Sequence, residues 1–450
     1  MSLQRYSKYR ASGIPWLAEV PAHWDVKRLR FVASLNPSKA EVRDLSRDTP
    51  VSFLPMETIG EDGSLRIEDV RSLGEVENGY SYVRDGDVAV AKITPCFENG
   101  KGALMRGLVN GLGFGTTELI VARPNQELMT SEFLHYLFRS AFFRRLGEAQ
   151  MYGAGGQKRV PDSFVRDFAT PLPPLAEQMG ITRFLDREVA RIDALIAEQR
   201  RLIELLEEKR RVCISRAVTQ GLQPGVRTKP SGVVWIGDVP AHWLIARVKN
   251  ISSFLTSGPR GWSDRISDDG ALFIQSGDLD DAMGIDFGSA KKVPVACDAE
   301  SARTRLKDGD VVVCITGAKT GNVAVCEAVP SEAYINQHLC LIRPTVQIRS
   351  QFLSAQLKSS VGQTHFALSQ YGLKQGLSLE DVASTPIVVP PIAEQDEIVD
   401  LIERHLTELG RLGRGVRNAV DLLLERRTSL ISAAVTGQID VRSIADKVAA

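Results

Sequence analysis

PPLAEQ at Pro173–Gln178 returns as PPIAEQ at Pro390–Gln395, 217 residues later in the chain. RAVT at Arg216–Thr219 returns as AAVT at Ala433–Thr436 with the same offset of 217. An amphipathic segment lies between each pair of landmarks, and the two segments align without a gap. The chain is therefore an internal duplication, and these two equal segments decide its fold.

The duplication extends to the start of each half. GIPWLAEVPAHW at Gly13–Trp24 returns as GVVWIGDVPAHW at Gly232–Trp243, an offset of 219. RDGDVAV (Arg84–Val90) matches KDGDVVV (Lys307–Val313), and the later triplets ARP and IRP also correspond, whereas the segments between these motifs differ. A common frame with different loops is the pattern expected of two modules that bind different sequences. A chain with two equivalent halves suits a roughly two-fold partner, and duplex DNA is the commonest.

In both amphipathic segments the apolar residues alternate by four and three positions, which is typical of a heptad seam. In the first segment, 175–222, the seam residues are Leu185, Val189, Ile192, Ile196, Gln199, Ile203, Leu206, Arg210, Cys213 and Ala217. In the second they are Ile402, Leu406, Leu409, Gly413, Val416, Val420, Leu423, Arg427, Leu430 and Ala434. We expect two long helices of equal length that pack antiparallel on each other. The alternative is that each helix lies separately on its own globular body.

The remaining segments, about 1–172 and 223–389, mix short β-rich runs with shorter helices, which predicts an α+β fold for each. The strand candidates are Val88–Ile93, Leu119–Ala122, Val311–Ile315, Val323–Cys326 and Leu339–Ile342. The helix candidates are Ser131–Leu146 and Ser350–Leu357.

Composition indicates an ordinary globular protein of several units. The 450 residues are 43% apolar and 24% charged, which is typical of globular chains, and this length should divide into two to four units. We expect a cytoplasmic protein, because no apolar run is long enough for a membrane span and MSLQRYSKYR does not resemble a secretory signal. The formal net charge is zero, so charge alone does not suggest DNA binding. A net charge of zero is compatible with DNA binding if one face of the protein is basic and the opposite face acidic. It is also compatible if a partner subunit supplies most of the phosphate contacts.

Signatures of catalysis are missing from the sequence. It contains no phosphate-binding G-x-x-x-x-G-K-[ST] loop, no Asn/Asp-Pro-Pro-aromatic turn of an amino-methyltransferase, and neither H-E-x-x-H nor G-x-S-x-G. The six cysteines lack zinc-site spacing, so we expect buried small hydrophobes, no metal and no cofactor. His23 and His242, inside the repeated PAHW, are expected to cap or pack rather than to catalyse.

Two loops have the residue types that contact DNA. GAGGQKR (153–159) and GLKQG (372–376) each follow a tyrosine at corresponding places. Glycine lets a backbone approach a surface closely, while Gln, Lys and Arg donate to base edges and phosphates. The candidates are Tyr152, Gln157, Lys158 and Arg159 in the first half and Tyr371, Lys374 and Gln375 in the second. Weaker candidates are Lys92, Thr94 and Lys101, and Arg260, Lys319, Thr320 and Gln337. The alternative is that both segments are ordinary solvated loops.

The duplicated combination of W-[LI]-x-[ED]-V-P-A-H-W, D-G-D-V and P-P-[LI]-A-E-Q before a long helix resembles the specificity subunits of type I restriction–modification systems, over almost the whole chain. The resemblance implies two pseudo-symmetric target-recognition domains, 1–172 and 223–389, separated by helical spacers 173–222 and 390–440 that pair as an antiparallel coiled coil, with a tail at 441–450. It implies that each domain binds one half of a bipartite DNA target and that the helices act as a ruler.

The same resemblance implies a non-catalytic protein. Two methyltransferase subunits would dock on the helices, restriction/translocation subunits would join a larger complex, and methyl transfer and cleavage would belong to these partners. Two other classes compete with this interpretation. A self-sufficient modification enzyme would turn over a methyl donor alone, and a scaffold built on the helix pair would footprint no duplex even at low salt.

Overall fold

The computed structural model describes residues 4–154, 156–280, 282–295, 298–370 and 376–442. The chain divides into two compact units: unit 1 comprises Met1–Gln199 and Asn418–Ala450, and unit 2 comprises Arg200–Arg417. Each unit contains one α+β body, the first half of one long helix and the last half of the other. We call the bodies body 1 (residues 4–172) and body 2 (residues 228–389). The proposed boundaries at 172, 222 and 389 stay predictions.

The first long helix is Leu175–Gln220 and the second is Ile392–Val435. Each begins directly after a Pro-Pro pair, because proline pre-sets the backbone angle of a first helical turn. Every one of the twenty predicted seam positions is buried or half-buried, from Leu185 to Ala217 and from Ile402 to Ala434. The heptad register expected from the sequence is therefore confirmed. This set includes the principal seam residues Leu185, Ile192, Ile203, Leu206, Ile402, Leu409, Val420 and Leu423.

The long helices pack against each other within each unit, and they do so antiparallel. In unit 1, Arg427 Nη1 donates to Asp193 Oδ1 at 2.6 Å. In unit 2, Ile214 and Ala217 line a small cavity together with Ile402 and Leu406. The residue numbers of the contacts on the second helix therefore decrease as those on the first helix increase, which is the pattern of antiparallel helices. This arrangement confirms the predicted helix pair and excludes two helices that lie separately on their bodies.

The core of each body continues onto both helices. In unit 1 an aromatic core that includes Phe133 and Phe143 is continuous with Leu185 of the first helix and Ile431 of the second. In unit 2 an aliphatic core that includes Val313 is continuous with Ile402 and Ile214. Because each fully buried side chain of this size contributes roughly 1.5–3 kcal/mol, both helix halves are integral to the unit that they enter.

Body 1 is built from two four-stranded sheets and two strand pairs. One sheet has the order Asp69–Ser72, Pro50–Leu54, Leu112–Gly115, Ser81–Arg84, and the other Ala33–Leu35, Leu119–Pro124, Val88–Ala91, Gly102–Leu104. The strand pairs are Tyr9–Ile14 with Leu17–Pro21 and Asp25–Arg28 with Ala169–Leu172. The helices of this body are Leu73–Val76, Ser131–Arg139, Ala141–Glu148 and Asp162–Asp167.

Body 2 repeats this plan among its described residues, except that one of its two sheets has three strands. Its four-stranded sheet has the order Ser252–Ser257, Leu339–Pro344, Val311–Cys314, Val323–Val325, and its three-stranded sheet Lys291–Val293, Ala271–Ile274, Ala333–Ile335. The strand pairs are Thr228–Pro230 with Asp238–Pro240 and Leu244–Arg247 with Pro386–Val389. The helices are Val248–Ile251, Ala299–Thr304, Ser350–Lys358, Ser360–Ser369 and Leu379–Ala383.

The five strand candidates are strands, with ends displaced by one or two residues. The helix expected over Ser131–Leu146 is instead two helices, because Ser140 leaves the helical region and accepts a hydrogen bond from Phe143 N at 3.4 Å. Ser359 makes the same break in body 2 and accepts from Val361 N at 3.1 Å. A serine N-cap offers the backbone an alternative to helix continuation, and this signal was present in the sequence. No helix in the described part of the chain is long and apolar enough to cross a membrane.

Candidate nucleic-acid interface

The duplicated sequence motifs bond to one another and form a common frame in the two bodies. In body 1 the D-G-D-V carboxylate of Asp87 accepts from Arg123 Nε and Nη2 at 2.6 and 2.8 Å. In body 2 Asp310 accepts from Arg343 at 2.8 and 2.7 Å in the same forked geometry. These bonds raise the pKa of Arg343. Both carboxylates are buried, so each pair fixes two neighbouring strands of its sheet.

The P-P-x-A-E-Q motifs join each body to the start of its long helix. Gln178 is fully buried, accepts from Thr130 N at 2.9 Å and donates to the carbonyls of Leu128 and Pro173. Gln395 repeats this pattern with Arg349 N, Gln347 O and Pro390 O. Both glutamines therefore satisfy backbone groups at the start of a body helix.

The repeated histidines bond to the glutamates of the same motifs. His23 Nε2 lies 2.8 Å from Glu177 Oε2, and His242 Nε2 lies 2.7 Å from Glu394 Oε1. Each histidine is thus paired with a glutamate in the first turn of a long helix, and its expected role in capping or packing stays a prediction. Among the described residues, no group of His, Cys, Asp and Glu side chains is arranged to hold a metal ion.

The frame positions a set of loops at one edge of body 1, which we call loop edge 1: residues 92–94, 116–118, 152–154 and 156–159. Lys92 N donates to Glu118 O at 2.8 Å, and Thr94 N donates to Lys158 O at 2.9 Å. Tyr152 and Arg159 exchange backbone hydrogen bonds and close the third loop. The predicted residues Lys92, Thr94, Tyr152, Gln157, Lys158 and Arg159 are therefore brought together.

The predicted contact residues of loop edge 1 have solvent-accessible side chains, which are polar apart from the aromatic ring of Tyr152. Tyr152 is 64% exposed, and Gln157 and Lys158 are also exposed. Arg159 is not free, because its Nε and Nη2 donate to the Glu118 carboxylate at 3.0 and 2.7 Å. Hydrogen bonds from Arg159 hold the pKa of Glu118 below its ordinary value. An exposed ring beside lysine and amide donors is suited to contacts with bases and phosphates.

Loop edge 2, defined as residues 258–261, 315–322, 336–338 and 376, occupies the corresponding place in body 2. Ile315 N donates to His338 O at 2.9 Å and Leu377 N donates to Ile315 O at 2.7 Å, repeating the lattice around Lys92. The side chains differ, because Thr316 Oγ1 and His338 Nδ1 are hydrogen-bonded where body 1 has the Glu118–Arg159 pair. Tyr371, Lys374 and Gln375 lie outside the described residues.

The weaker candidates have different surroundings. Arg260 is exposed, and its loop packs so closely that a Cβ on Gly258 would lie 2.2 Å from the Asn336 carbonyl oxygen. Gln337 also lies in loop edge 2, where its Nε2 is 3.0 Å from His338 Nε2. Thr320 donates to Gly317 O in its own loop.

Lys101 and Lys319 make the same kind of contact, a hydrogen bond from the ammonium group to a backbone carbonyl, which their sequence context did not reveal. Lys101 Nζ donates to Met56 O at 3.1 Å. Lys319 Nζ donates to the carbonyls of Gly277 and Leu279 at 3.2 Å. Each ammonium group therefore ties the loop that follows a central strand to a neighbouring turn.

Glu118, Thr316 and His338 were missed from the sequence although they lie at the centre of the two edges. Their signal was positional: TTE at 116–118 and NQH at 336–338 precede matching strands at an offset of 220. In both turns a side chain caps the third residue, since Glu118 N donates to Thr116 Oγ1 and His338 N to Asn336 Oδ1.

Each of the two α+β bodies carries the same frame and a different exposed loop edge, so the duplication seen in the sequence is also a duplication of structure. Comparison with known proteins shows what the chain resembles. The family model for the type I restriction modification DNA specificity domain matches residues 298–419. The chain is similar to the specificity subunits of the type I restriction enzymes EcoAI and EcoEI from Escherichia coli, at 44% identity over 36% of this chain and 40% over 42%.

A solved structure extends the likeness to the whole fold. A chain from a structural study of assembly and conformational transition of the type I restriction–modification system matches 93% of this chain and 99% of its own length. The TM-score is 0.67 at 21% identity. The matched segments span only 27% and 31% of the EcoAI and EcoEI subunits. The chain is therefore similar in sequence to specificity subunits of type I restriction–modification systems over part of their length, and similar in fold over nearly its whole length.

Proposed function

We propose that this chain binds a bipartite DNA target, with body 1 contacting one half-site and body 2 the other. The observation that carries the proposal is the shared backbone lattice of loop edges 1 and 2, on which different side chains are displayed. Glu118 with Arg159 in one body, and Thr316 with His338 in the other, present different donors and acceptors at equivalent positions. Different hydrogen-bonding groups on one frame are what two different base sequences require.

The recognition residues of this proposal are those predicted from the sequence, together with the residues found at the edges. In body 1 they are Lys92, Thr94, Tyr152, Gln157, Lys158 and Arg159, with Glu118. In body 2 they are Arg260, Thr320, Gln337, Tyr371, Lys374 and Gln375, with Thr316 and His338. Lys101 and Lys319 act on DNA only if they exchange their carbonyl partners for phosphates.

The helix pair sets the spacing between the half-sites in this proposal. A helix of 46 residues is roughly 69 Å long at 1.5 Å per residue. Insertion of seven residues at matched positions in both helices should lengthen the recognised spacer and leave both half-site sequences unchanged. If the recognised spacer does not change, the length of the helix pair does not set the distance between the half-sites.

The chain itself performs no chemistry in this proposal. Two methyltransferase subunits dock on the helical spacers 173–222 and 390–440, and restriction/translocation subunits complete a larger cytoplasmic complex. These partners supply methyl transfer and cleavage, and also much of the positive charge toward the phosphates, since the net charge of the chain is zero.

The test is to express the chain with its methyltransferase partner and to map methylated adenines genome-wide. The proposal expects one bipartite motif with a fixed spacer. A chimaera that carries body 2 of a related subunit should change one half-site only. Methylation without the chain at the same motif, or a single undivided motif, would contradict it.

A further inference from the structure

Unit 2 contains a cavity of about 320 Å³ beside the first half of the second long helix. Its wall includes Met283, Ile285 and Phe287 from one loop, Ala355 from the helix Ser350–Lys358, and Ile402 and Leu406 from the long helix. The Glu403 carboxylate also lines the cavity and belongs to an exposed residue, so it lies at the mouth. Within the described chain Glu403 has no hydrogen bond or ion pair. The volume is within the usual range of small-ligand pockets.

The corresponding place in unit 1 is occupied by a tyrosine. The helices Ser131–Arg139 and Ser350–Lys358 align position by position from their first serines, which pairs Tyr136 with Ala355. The long helices align at the offset of 217, which pairs Asp186 with Glu403. Tyr136 is buried and its hydroxyl donates to Asp186 Oδ1 at 2.7 Å. Unit 2 thus retains the carboxylate but lacks the ring and hydroxyl that would satisfy it.

The loop over the cavity in unit 2 also differs from the matching loop in unit 1. Gly63 and Met283 occupy equivalent positions of two matching turns, and both have a left-handed backbone, with φ of 89° and 72°. Glycine adopts this conformation freely, whereas methionine is strained in it. The Met283 side chain lies against Ser354, with Sδ 3.8 Å from Oγ, where unit 1 has His135 beside Gly63. A flexible thioether over an apolar cavity adapts readily to an aromatic guest.

We infer that this cavity is a binding site for a single aromatic ring that carries a hydrogen-bond donor, a phenol in the simplest case. The ring fills the space left at Ala355 and packs on Ile402, Leu406 and Met283. Its hydroxyl donates to Glu403 as the Tyr136 hydroxyl donates to Asp186. The ligand is either a free phenolic compound or a tyrosyl side chain of a protein partner, since both present the same group. This site is independent of the proposed DNA binding.

The test uses the full chain without DNA and p-cresol, which is the side chain of tyrosine, in calorimetry and thermal-shift titrations. We expect saturable binding of p-cresol, weaker binding of toluene, and an affinity about tenfold lower for Glu403→Gln because a charged acceptor is lost. Ala355→Tyr should fill the cavity, raise the melting temperature and abolish binding. If that variant fails to fold, Glu403→Gln and the comparison with toluene still test the site.

A matched variant in unit 1 makes a negative result informative. Tyr136→Ala opens the corresponding space beside Asp186, so p-cresol should bind there as well and restore part of the lost stability. Binding to Ala355→Tyr/Tyr136→Ala but not to the parent chain would overturn the inference. Adding the methyltransferase subunit distinguishes the two sources of the ring. If p-cresol no longer binds in the complex, the natural ligand is a side chain of the partner; if p-cresol still binds, the natural ligand is a free compound.

Discussion

Units 1 and 2 share a hydrogen-bonded frame and differ in what the frame carries. The Asp–Arg forks, the Gln178 and Gln395 contacts and the histidine–glutamate pairs recur with nearly the same distances. The side chains displayed on the loop edges and the space beside Met283 do not recur. Duplication has therefore retained the contacts that position backbone, because these determine the fold, while side chains that end in solvent or in a cavity have diverged.

The largest expected effect concerns the helix seam that both units use. Ile192→Asp and Ile402→Asp, at positions 4% and 5% exposed, should each lower the free energy of unfolding by about 3–5 kcal/mol, because each buries an unpaired charge. Ile203→Asp and Val420→Asp, at half-buried positions, should cost less, about 1–2 kcal/mol, since water still reaches the carboxylate. Urea unfolding measures all four, and equal losses would show that the seam is uniform.

The next effect distinguishes the Asp87–Arg123 pair from the Asp310–Arg343 pair. Asp310→Asn should cost about 3 kcal/mol, because Arg343 loses its carboxylate partner and keeps, besides one amide oxygen, only a long bond of 3.4 Å to Arg305 O. Asp87→Asn should cost less, about 2 kcal/mol, because Arg123 also pairs with Glu41. Denaturation followed by tryptophan fluorescence checks this order. A larger loss of stability for Asp87→Asn would mean that weaker strand pairing, rather than an arginine left without its carboxylate partner, determines the cost.

A smaller effect is expected on DNA binding by loop edge 1. Gln157→Ala, if the amide contacts a base, should relax preference at one position of one half-site by about 1–3 kcal/mol. Lys158→Ala, if the ammonium contacts phosphate, should weaken binding to all sequences and reduce the salt dependence by about one unit. Fluorescence-anisotropy titrations at several salt concentrations measure both. Lys8→Ala, at an exposed position outside the edge, is the matched control, and no difference from it would make the edge an ordinary solvated loop.

The smallest effect is the pH response of Glu118 in loop edge 1. Arg159 lowers the folded-state pKa of Glu118 below the ordinary value of 4.5. A depressed carboxyl pKa stabilises the fold above the unfolded pKa, and this contribution is lost as pH falls through the folded pKa. Glu118→Gln should therefore destabilise by less than about 1 kcal/mol at neutral pH and by nothing at pH 2–3. Unfolding curves at both pH values check it, and a loss independent of pH would assign the effect to packing.

Much of this architecture was predictable from local patterns. The heptad seam fixes which face of each long helix is buried, and a gapless offset of 217 shows that both helices have one register. Strands with β-branched runs, such as Val311–Cys314, were found at nearly their observed ends. The break at Ser140 was missed because apolar periodicity continues across it, and periodicity reports burial rather than backbone continuity.

The sequence by itself determined the duplication, the helix seam and the α+β character of each half, because these depend on residue spacing along the chain. Tertiary structure alone decided that Glu118 takes the guanidinium of Arg159, that Lys101 and Lys319 bond to turn carbonyls, and that Ala355 leaves a cavity before Glu403. Hydrogen-bond partners and cavities depend on which distant segments meet and at what distance. That information resides in packing between elements, and no local pattern of residues specifies it.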